Sequence, residues 1–269
     1  MSLVKLLPCH CPKIWGFEEW QFSTHHNGMT KVAATNQALE TYLGQQLPIL
    51  IKYIEANETL SVQVHPDDEY AQAHTSDRGK TECWYITEAE PGAQLIFGLK
   101  PTLTADVLRQ LIAEQKLEDQ LAFIDIQAGD MMYIPAGTVH AIMGGIKLIE
   151  IQQSSDTTYR LYDWGRDREL HIAESLAVID YEHKNGAKKI PASEFTRLET
   201  PYFTVEKYHI QDQFRLESRQ AATLTLVEGS LYYEHEQQQN SIQLNETLYL
   251  ESQAVQLIGT GTVLITTWD

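Results

Sequence analysis

A chain of 269 residues, 43% apolar and 21% charged, holds material for one large globular domain or two modest ones. Its formal charge of −17 argues against nucleic acid and anionic membrane as partners, since both require a basic footprint, but leaves room for a small anionic substrate met by a few clustered cations. Three cysteines, an odd number in a chain this long, do not suggest a disulfide framework and fit a reducing compartment.

The opening stretch MSLVKLLPCHCPKIWG lacks the apolar run and cleavage site of a signal peptide, and no segment approaches the ~20 apolar residues of a membrane helix, so the chain reads as cytoplasmic. Cys9-His10-Cys11 reads as local strand or turn, because no second ligand pair at zinc-finger spacing follows and Pro12 comes at once. Residues 47–65 read as two strands, LPILIKYIEA and TLSVQVH, joined by Asn57 and Glu58. Pro66-Asp67-Asp68 then opens a short helix, with proline at the first helical position and acids in the first turn. The strands ECWYITEA and AQLIFGL follow, the second after the Pro91-Gly92 turn. Over 102–121 the period changes: Val107, Leu108, Leu111, Ile112, Leu117 and Leu121 mark an amphipathic helix or helix pair. Strands return at AFIDI, DMMYIPA, HAIMG and KLIEIQQ, with Gly129 and Gly144-Gly145 between them. Residues 171–184 fit a helix, and NGAKKIPAS is the best linker candidate. From about residue 200, seven short strands at regular spacing (YFTVEKYHI, FRLESR, ATLTLVEG, SLYYEHE, SIQLNETLYLES, AVQLIG, TVLITTW) predict a small all-β unit, with EQQQN, 236–240, at a loop tip. The expected architecture is mainly β, with a unit over 1–190 that carries the interesting polar residues and a second over 191–269, in which His209 and His235 are isolated.

Four residues in the first unit stand out. Residues two apart on a strand face the same way, so Gln63 and His65 share one side of LSVQVH while Val62 and Val64 pack on the other. A lone strand histidine is more often hydrogen-bonded structure than ligand; further ligand types on other strands change that balance. Glu82 shares a face with Trp84 at the start of ECWYITEA. His140 closes the pattern Gly129, five residues, Pro135, one residue, Gly137, two residues, His140: a strand, a Pro-Gly reversal, and a histidine aimed inward from the next strand.

That last segment resembles the second motif of the cupins, β-barrel proteins that hold a metal between facing strands. The first cupin motif is altered, with Gln63 in place of the first histidine and Glu82 17 residues after His65. Together with LSVQVHPDDEYA, GKTECWYI, IPAGTVHAI and SSDTTYRLYDWG, these features resemble the type I mannose-6-phosphate isomerases in their short bacterial form, most strongly over 47–170. The N-terminal region departs: Ile14-Trp15-Gly16 runs almost directly into Phe17-Glu18-Glu19-Trp20, without the longer loop of the family. The resemblance implies two cupin-like jelly-roll barrels, the first catalytic with a helical insertion near 102–121 and a connecting helix, the second degenerate. It implies one Zn2+ held by Gln63, His65, Glu82 and His140, catalytic roles for Lys80 and Arg160, and Ser61 and Lys52 near a substrate phosphate. The residues themselves add some support. Arg160 lies between Tyr159 and Leu161-Tyr162, too apolar a context for a freely solvated cation; Ser61 shares the face of Gln63; and an unpaired ammonium at Lys52 within LPILIKYI would be costly.

The implied activity is interconversion of mannose 6-phosphate and fructose 6-phosphate through an enediol, with metal-bound water, Lys80 and an unplaced acidic residue all open as the base. Two alternatives use the same residues: a non-haem Fe(II) dioxygenase, since two histidines and a carboxylate also suit that iron, and a non-catalytic sugar-binding cupin. The expected partner is a sugar phosphate, with no nucleic acid and no membrane; the oligomeric state is open, a monomer being allowed.

Overall fold

The computed structural model describes residues 3–101, 103–217, 220–235, 238–251 and 254–268. The chain opens with short strands β1 (Leu3–Val4), β2 (Leu6–Leu7), β3 (Cys9–Lys13), β4 (Gly16–Phe22) and β5 (Lys31–Val32), a helical turn α1 (Leu39–Leu43) and β6 (Ile49–Ala56). Then come β7 (Val62–Val64), α2 (Asp68–His74), β8 (Glu82–Ala89), β9 (Gln94–Leu99), α3 (Ala105–Ala113), a 3-10 turn (Glu118–Gln120) and β10 (Leu121–Asp125). Strands β11 (Met131–Ile134), β12 (His140–Ile142), β13 (Ile146–Gln153) and β14 (Tyr159–Tyr162) lead to α4 (Ile172–Val178) and β15 (Lys188–Ile190). The remainder is all β: β16 (Arg197–Glu199), β17 (Thr204–Ile210), β18 (Gln213–Glu217), β19 (Ala222–His235), β20 (Gln238–Ile242), β21 (Thr247–Leu250) and β22 (Ala254–Thr267).

The chain divides into two compact units: residues 12–18 with 54–193, and residues 1–11 and 19–53 with 194–269. The expected boundary at 190/191 lies beside the 193/194 division, while most of the first 53 residues cluster with the C-terminal strands.

In the unit built on 54–193, one sheet has the order β10–β9–β12–β7–β14, and a second contains β15–β11–β8–β13 in that order. The architecture is mainly β and the sheets stay open at their edges rather than closing into a cylinder. Side-chain alternation explains the layering. Leu95 and Ile142 of the first sheet meet Trp84, Ile86, Ile134 and Leu148 of the second. Val62, Val64, Ile96, Ala141 and Leu161 point the other way and are covered by Leu108 of α3, Leu176 of α4 and Leu117. The strands of the first sheet are therefore buried on both faces, which is why VQV and HAI are nearly continuous in apolar residues; each such aliphatic side chain contributes about 1.5–3 kcal/mol when fully buried.

The helix after His65 forms as expected, with one correction: Asp67 is the N-cap, its carboxylate accepting from the Tyr70 N–H at 2.8 Å, and Pro66 lies one residue outside the helix. The helical expectation over 102–121 resolves into α3, N-capped by the Thr104 hydroxyl, and a separate 3-10 turn, and that over 171–184 into the shorter α4; Thr102 lies outside the described residues. The linker candidate holds strand β15, whose Lys188–Ile190 pair with Tyr133–Met131 of β11.

In the other unit, one sheet has the order β1–β21–β19–β22–β17–β16, with β18 on β22 and β20 on β19, around a core that includes Leu224, Leu231, Leu257 and Val263. Two pairs of expected strands are each one long strand, β19 and β22, which pair with each other from Ala222↔Thr267 to Tyr233↔Leu257. Gly229 and Gly261, near the expected strand ends, sit opposite one another where the backbones approach closely. His209 is exposed, 3.2 Å from the Thr262 hydroxyl. The expected loop tip holds residues 236 and 237, which lie outside the described residues, as does the side chain of His235.

Candidate metal centre

The inner face of the five-stranded sheet carries a cross-strand row. Arg160 of β14 pairs with Gln63 of β7, Gln63 with His140 of β12, and His140 with Phe97 of β9. Directly opposed residues face the same way, so one row presents a guanidinium, an amide and an imidazole to the facing sheet. His65 follows β7 two residues after Gln63, and Glu82 opens β8 on the facing sheet. The site therefore draws one acid from one sheet and three donors from the other.

His65, Glu82 and His140 are 1%, 0% and 0% exposed. Their donor atoms lie within 4.8 Å of one another. Glu82 Oε1 is 3.3 Å from His140 Nε2, and Glu82 Oε2 is 3.6 Å from His65 Nε2. Donors about 2.1 Å from one tetrahedral ion stand about 3.4 Å apart, so the spacing fits a shared zinc-sized cation. The tautomers fit as well. His140 Nδ1 donates to the Thr138 carbonyl at 2.9 Å and His65 Nδ1 to the Thr157 carbonyl at 3.0 Å, which leaves both Nε2 lone pairs turned inward. Burial holds the His140 imidazole down at about pKa 4, so it is neutral and able to ligate at physiological pH. The Gln63 amide lies 3.3 Å from His140 Nε2, and rotating that amide by half a turn presents its oxygen to the same place. The donor set thus fits a divalent cation: one carboxylate, two imidazole Nε2 atoms and an amide oxygen.

Lys80 is buried at 4% exposure, its ammonium 3.0 Å from both Glu82 Oε2 and His65 Nε2. Its placement follows from local stitching. The Lys80 N–H donates to the Pro66 carbonyl at 2.9 Å, and the Thr81 N–H to Gln153 Oε1 at 2.9 Å, while the Gln153 amide donates to the Asp68 carboxylate. The segment leading into Glu82 is thereby fastened to the turn leaving His65.

Arg160 is half-buried. Its Nη1 donates to the Glu169 carbonyl at 2.7 Å, whereas its Nε–H is buried without an acceptor among the described residues. Burial, and then the nearby Arg168, push its pKa below the ordinary arginine value. The backbone of Arg160 is bracketed by His171, which accepts from its N–H and donates to its carbonyl. Ser61 is buried two residues before Gln63. Lys52 belongs to the other unit, where its ammonium lies 5.0 Å from the centre of the Trp20 ring.

Sequence reasoning placed Trp84 on the face of Glu82 without giving it a role, and passed over Glu150. Trp84 meets His140 edge-on with ring centres 5.3 Å apart, and its indole N–H donates to Glu150 Oε1 at 3.0 Å. Glu150, 3% exposed, pairs with Trp84 across β13 and β8 and is a second buried carboxylate on the facing sheet. Its signal was present: a lone acid within KLIEIQQ, the same anomaly that Gln63 and His65 make in LSVQVH.

Comparison with known proteins finds similar chains among the phosphomannose isomerases. The family described as phosphomannose isomerase type I, catalytic domain, matches residues 21–90. A mannose-6-phosphate isomerase of Streptococcus mutans is 38% identical over 225 residues, 74% of this chain and 71% of the relative. Mannose-6-phosphate isomerase ManA of Bacillus subtilis is 35% identical over 242 residues, 79% of this chain and 76% of the relative. The crystal structure of the mannose 6-phosphate isomerase from Bacillus subtilis superposes with a TM-score of 0.89 at 27% identity, covering 99% of this chain and 100% of that one. A mannose 6-phosphate isomerase bound with zinc and yttrium shares the fold, at TM-score 0.70 and 14% identity, with both chains fully covered.

Proposed function

The chain belongs to the type I mannose-6-phosphate isomerase family, and on that premise we propose that it interconverts mannose 6-phosphate and fructose 6-phosphate with one zinc ion held by Gln63, His65, Glu82 and His140. The observation that carries the reading is the convergence of two inward-turned imidazole Nε2 atoms on one fully buried carboxylate, at spacings a single ion sets. When bound, the metal supplies a Lewis acid for sugar oxygens that take on negative charge.

The rest of the chemistry belongs to the chain. Moving a hydrogen between C1 and C2 develops charge on both neighbouring oxygens as the enediol forms. Lys80, held at Glu82, and Arg160, at the end of the cross-strand row with its Nε–H unengaged, stabilise that charge from the protein side. Both cations are partly or wholly withdrawn from water, which strengthens their hold on an anion. Their local positive field also draws an anionic substrate to a chain of net charge −17. Ser61, on the face of Gln63, and Lys52 are assigned to binding the sugar phosphate, as the family resemblance implies. An oxygenase iron could use the same two histidines and acid, but family membership favours the isomerase over that reading and over non-catalytic binding. Among the described residues no helix is long and apolar enough to cross a membrane, and Cys9, Cys11 and Cys83 form no disulfide; a cytoplasmic setting is part of the proposed reading.

The test is direct. Zinc-loaded protein incubated with fructose 6-phosphate should generate mannose 6-phosphate, and chelation should abolish the conversion. Absence of interconversion by metal-replete, folded protein would overturn the reading.

A further inference from the structure

The five-residue turn Pro135–Val139 carries the chain from β11 in one sheet to β12 in the other and delivers His140. It is held from three directions. The Ala136 N–H donates to Thr81 Oγ1 at 3.2 Å, next to Glu82, and the Gly137 N–H donates to the His65 carbonyl at 2.9 Å. The third hold comes from a loop far along the chain. The Asp180 N–H donates to the Gly137 carbonyl at 2.9 Å, and the Asn185 amide Nδ2 donates both to the Ala136 carbonyl at 3.0 Å and to Thr138 Oγ1 at 2.8 Å. Gly137 permits this approach: at φ +85° it has no Cβ, which would lie 3.0 Å from the Val178 carbonyl oxygen and 3.1 Å from the Asp180 nitrogen. The loop is itself braced, because the Asp180 carboxylate accepts from the Glu182 N–H at 3.1 Å and from the Asn185 N–H at 2.8 Å.

Thr138 is the residue whose carbonyl fixes the His140 tautomer. Asn185 thus grips, by one amide nitrogen, both the residue that orients the imidazole and the carbonyl two residues before it. We propose that Asn185 is a positioning residue for the metal ligand His140, and that the loop 180–185 sets metal affinity by holding the 135–139 turn against the other two ligand-bearing segments. The chemistry asks for asparagine: both acceptors need amide hydrogens, and aspartate would set a carboxylate oxygen against the Ala136 carbonyl. Groups that orient metal-bound histidines typically change metal affinity or activity by about 10–100-fold when removed.

The inference rests on the metal-site reading, and the experiment separates the two. Zinc affinity of the metal-free full-length chain is measured by competition with a chromophoric chelator, for the parent, Asn185→Ala, Asn185→Asp and Thr138→Val. Asn185→Ala and Asn185→Asp should bind zinc about 10–100-fold more weakly, with Asp the worse, and Thr138→Val, which removes one of the two amide contacts, should fall between them and the parent. At saturating zinc the KM for fructose 6-phosphate should stay near the parental value, because no substrate contact is removed. Parental zinc affinity in folded Asn185→Ala would overturn the inference alone; should that variant fail to fold, parental affinity in Thr138→Val overturns it equally. A parent chain that takes up no zinc would overturn the metal-site reading together with it.

Discussion

His140 and Arg160 occupy one cross-strand row, yet their substitution should have opposite consequences. His140→Ala removes an inward-facing donor and leaves Glu82 buried with fewer partners, so zinc content and isomerase activity should be lost together, as read by metal analysis beside the coupled assay. Arg160→Ala removes a cation outside the proposed ligand set; the chain should keep zinc and its fold while kcat drops about 10²–10³-fold. Metal loss in the arginine variant, or full turnover in either, would contradict these roles. The thiols supply an independent check on packing. Complete burial, with the Glu82 and Glu150 charges adding to it, pushes the Cys83 thiol well above its ordinary range, whereas Cys9 and Cys11 are half-buried with sulfurs 3.9 Å apart. A thiol reagent applied to native protein should modify Cys9 and Cys11, and Cys83 only after unfolding.

The strands β19 and β22 show how a local signal is overruled by pairing. Each contains glycine near an expected strand end, and each runs on for 14 residues because the glycines let the two backbones approach. At Gly229 the backbone has φ +81°, and a Cβ would stand 2.3 Å from the Thr260 carbonyl oxygen and 2.6 Å from Gly261 Cα. Gly229→Ala should therefore cost both left-handed strain and a steric clash, about 2–4 kcal/mol in chemical denaturation. Gly92→Ala, at φ +82° with nothing within 4 Å, should cost only about 1 kcal/mol. Equal effects at the two sites would show that the close approach carries no weight. The ligand-bearing strands obey the same logic. VQV and HAI are only three residues each, but both of their faces are covered, so a one-residue slip would bury Gln63 under the helices and turn Val62 toward Glu82.

For the molecule as a whole, the metal should act as a stabiliser of the unit that holds its ligands. The unfolded chain cannot assemble donors drawn from residues 63 to 140, so under the proposed reading zinc would bind the folded form and raise stability by about 2.7 kcal/mol at one hundred times its dissociation constant. Thermal unfolding should shift upward on adding zinc to metal-free protein, and the shift should vanish in His140→Ala. An unchanged midpoint in the parent would place the donors elsewhere than around a common ion.

The amino-acid sequence by itself determined the β-rich class and most of the strands, and period-two alternation and a Pro-Gly reversal made Gln63, His65 and His140 stand out, while the full candidate ligand set, Glu82 included, came from the resemblance of those motifs to a family. Only the tertiary structure decided that Arg160, Gln63 and His140 form one row, that Lys80 reaches both Glu82 and His65, that Glu150 lies beside the site through Trp84, and that residues 1–11 and 19–53 cluster with the C-terminal strands. The physical reason is range. Alternation and turn chemistry act over a few residues and are written locally, whereas strand pairing joins residues tens to hundreds of positions apart, and nothing in either partner taken alone names the other.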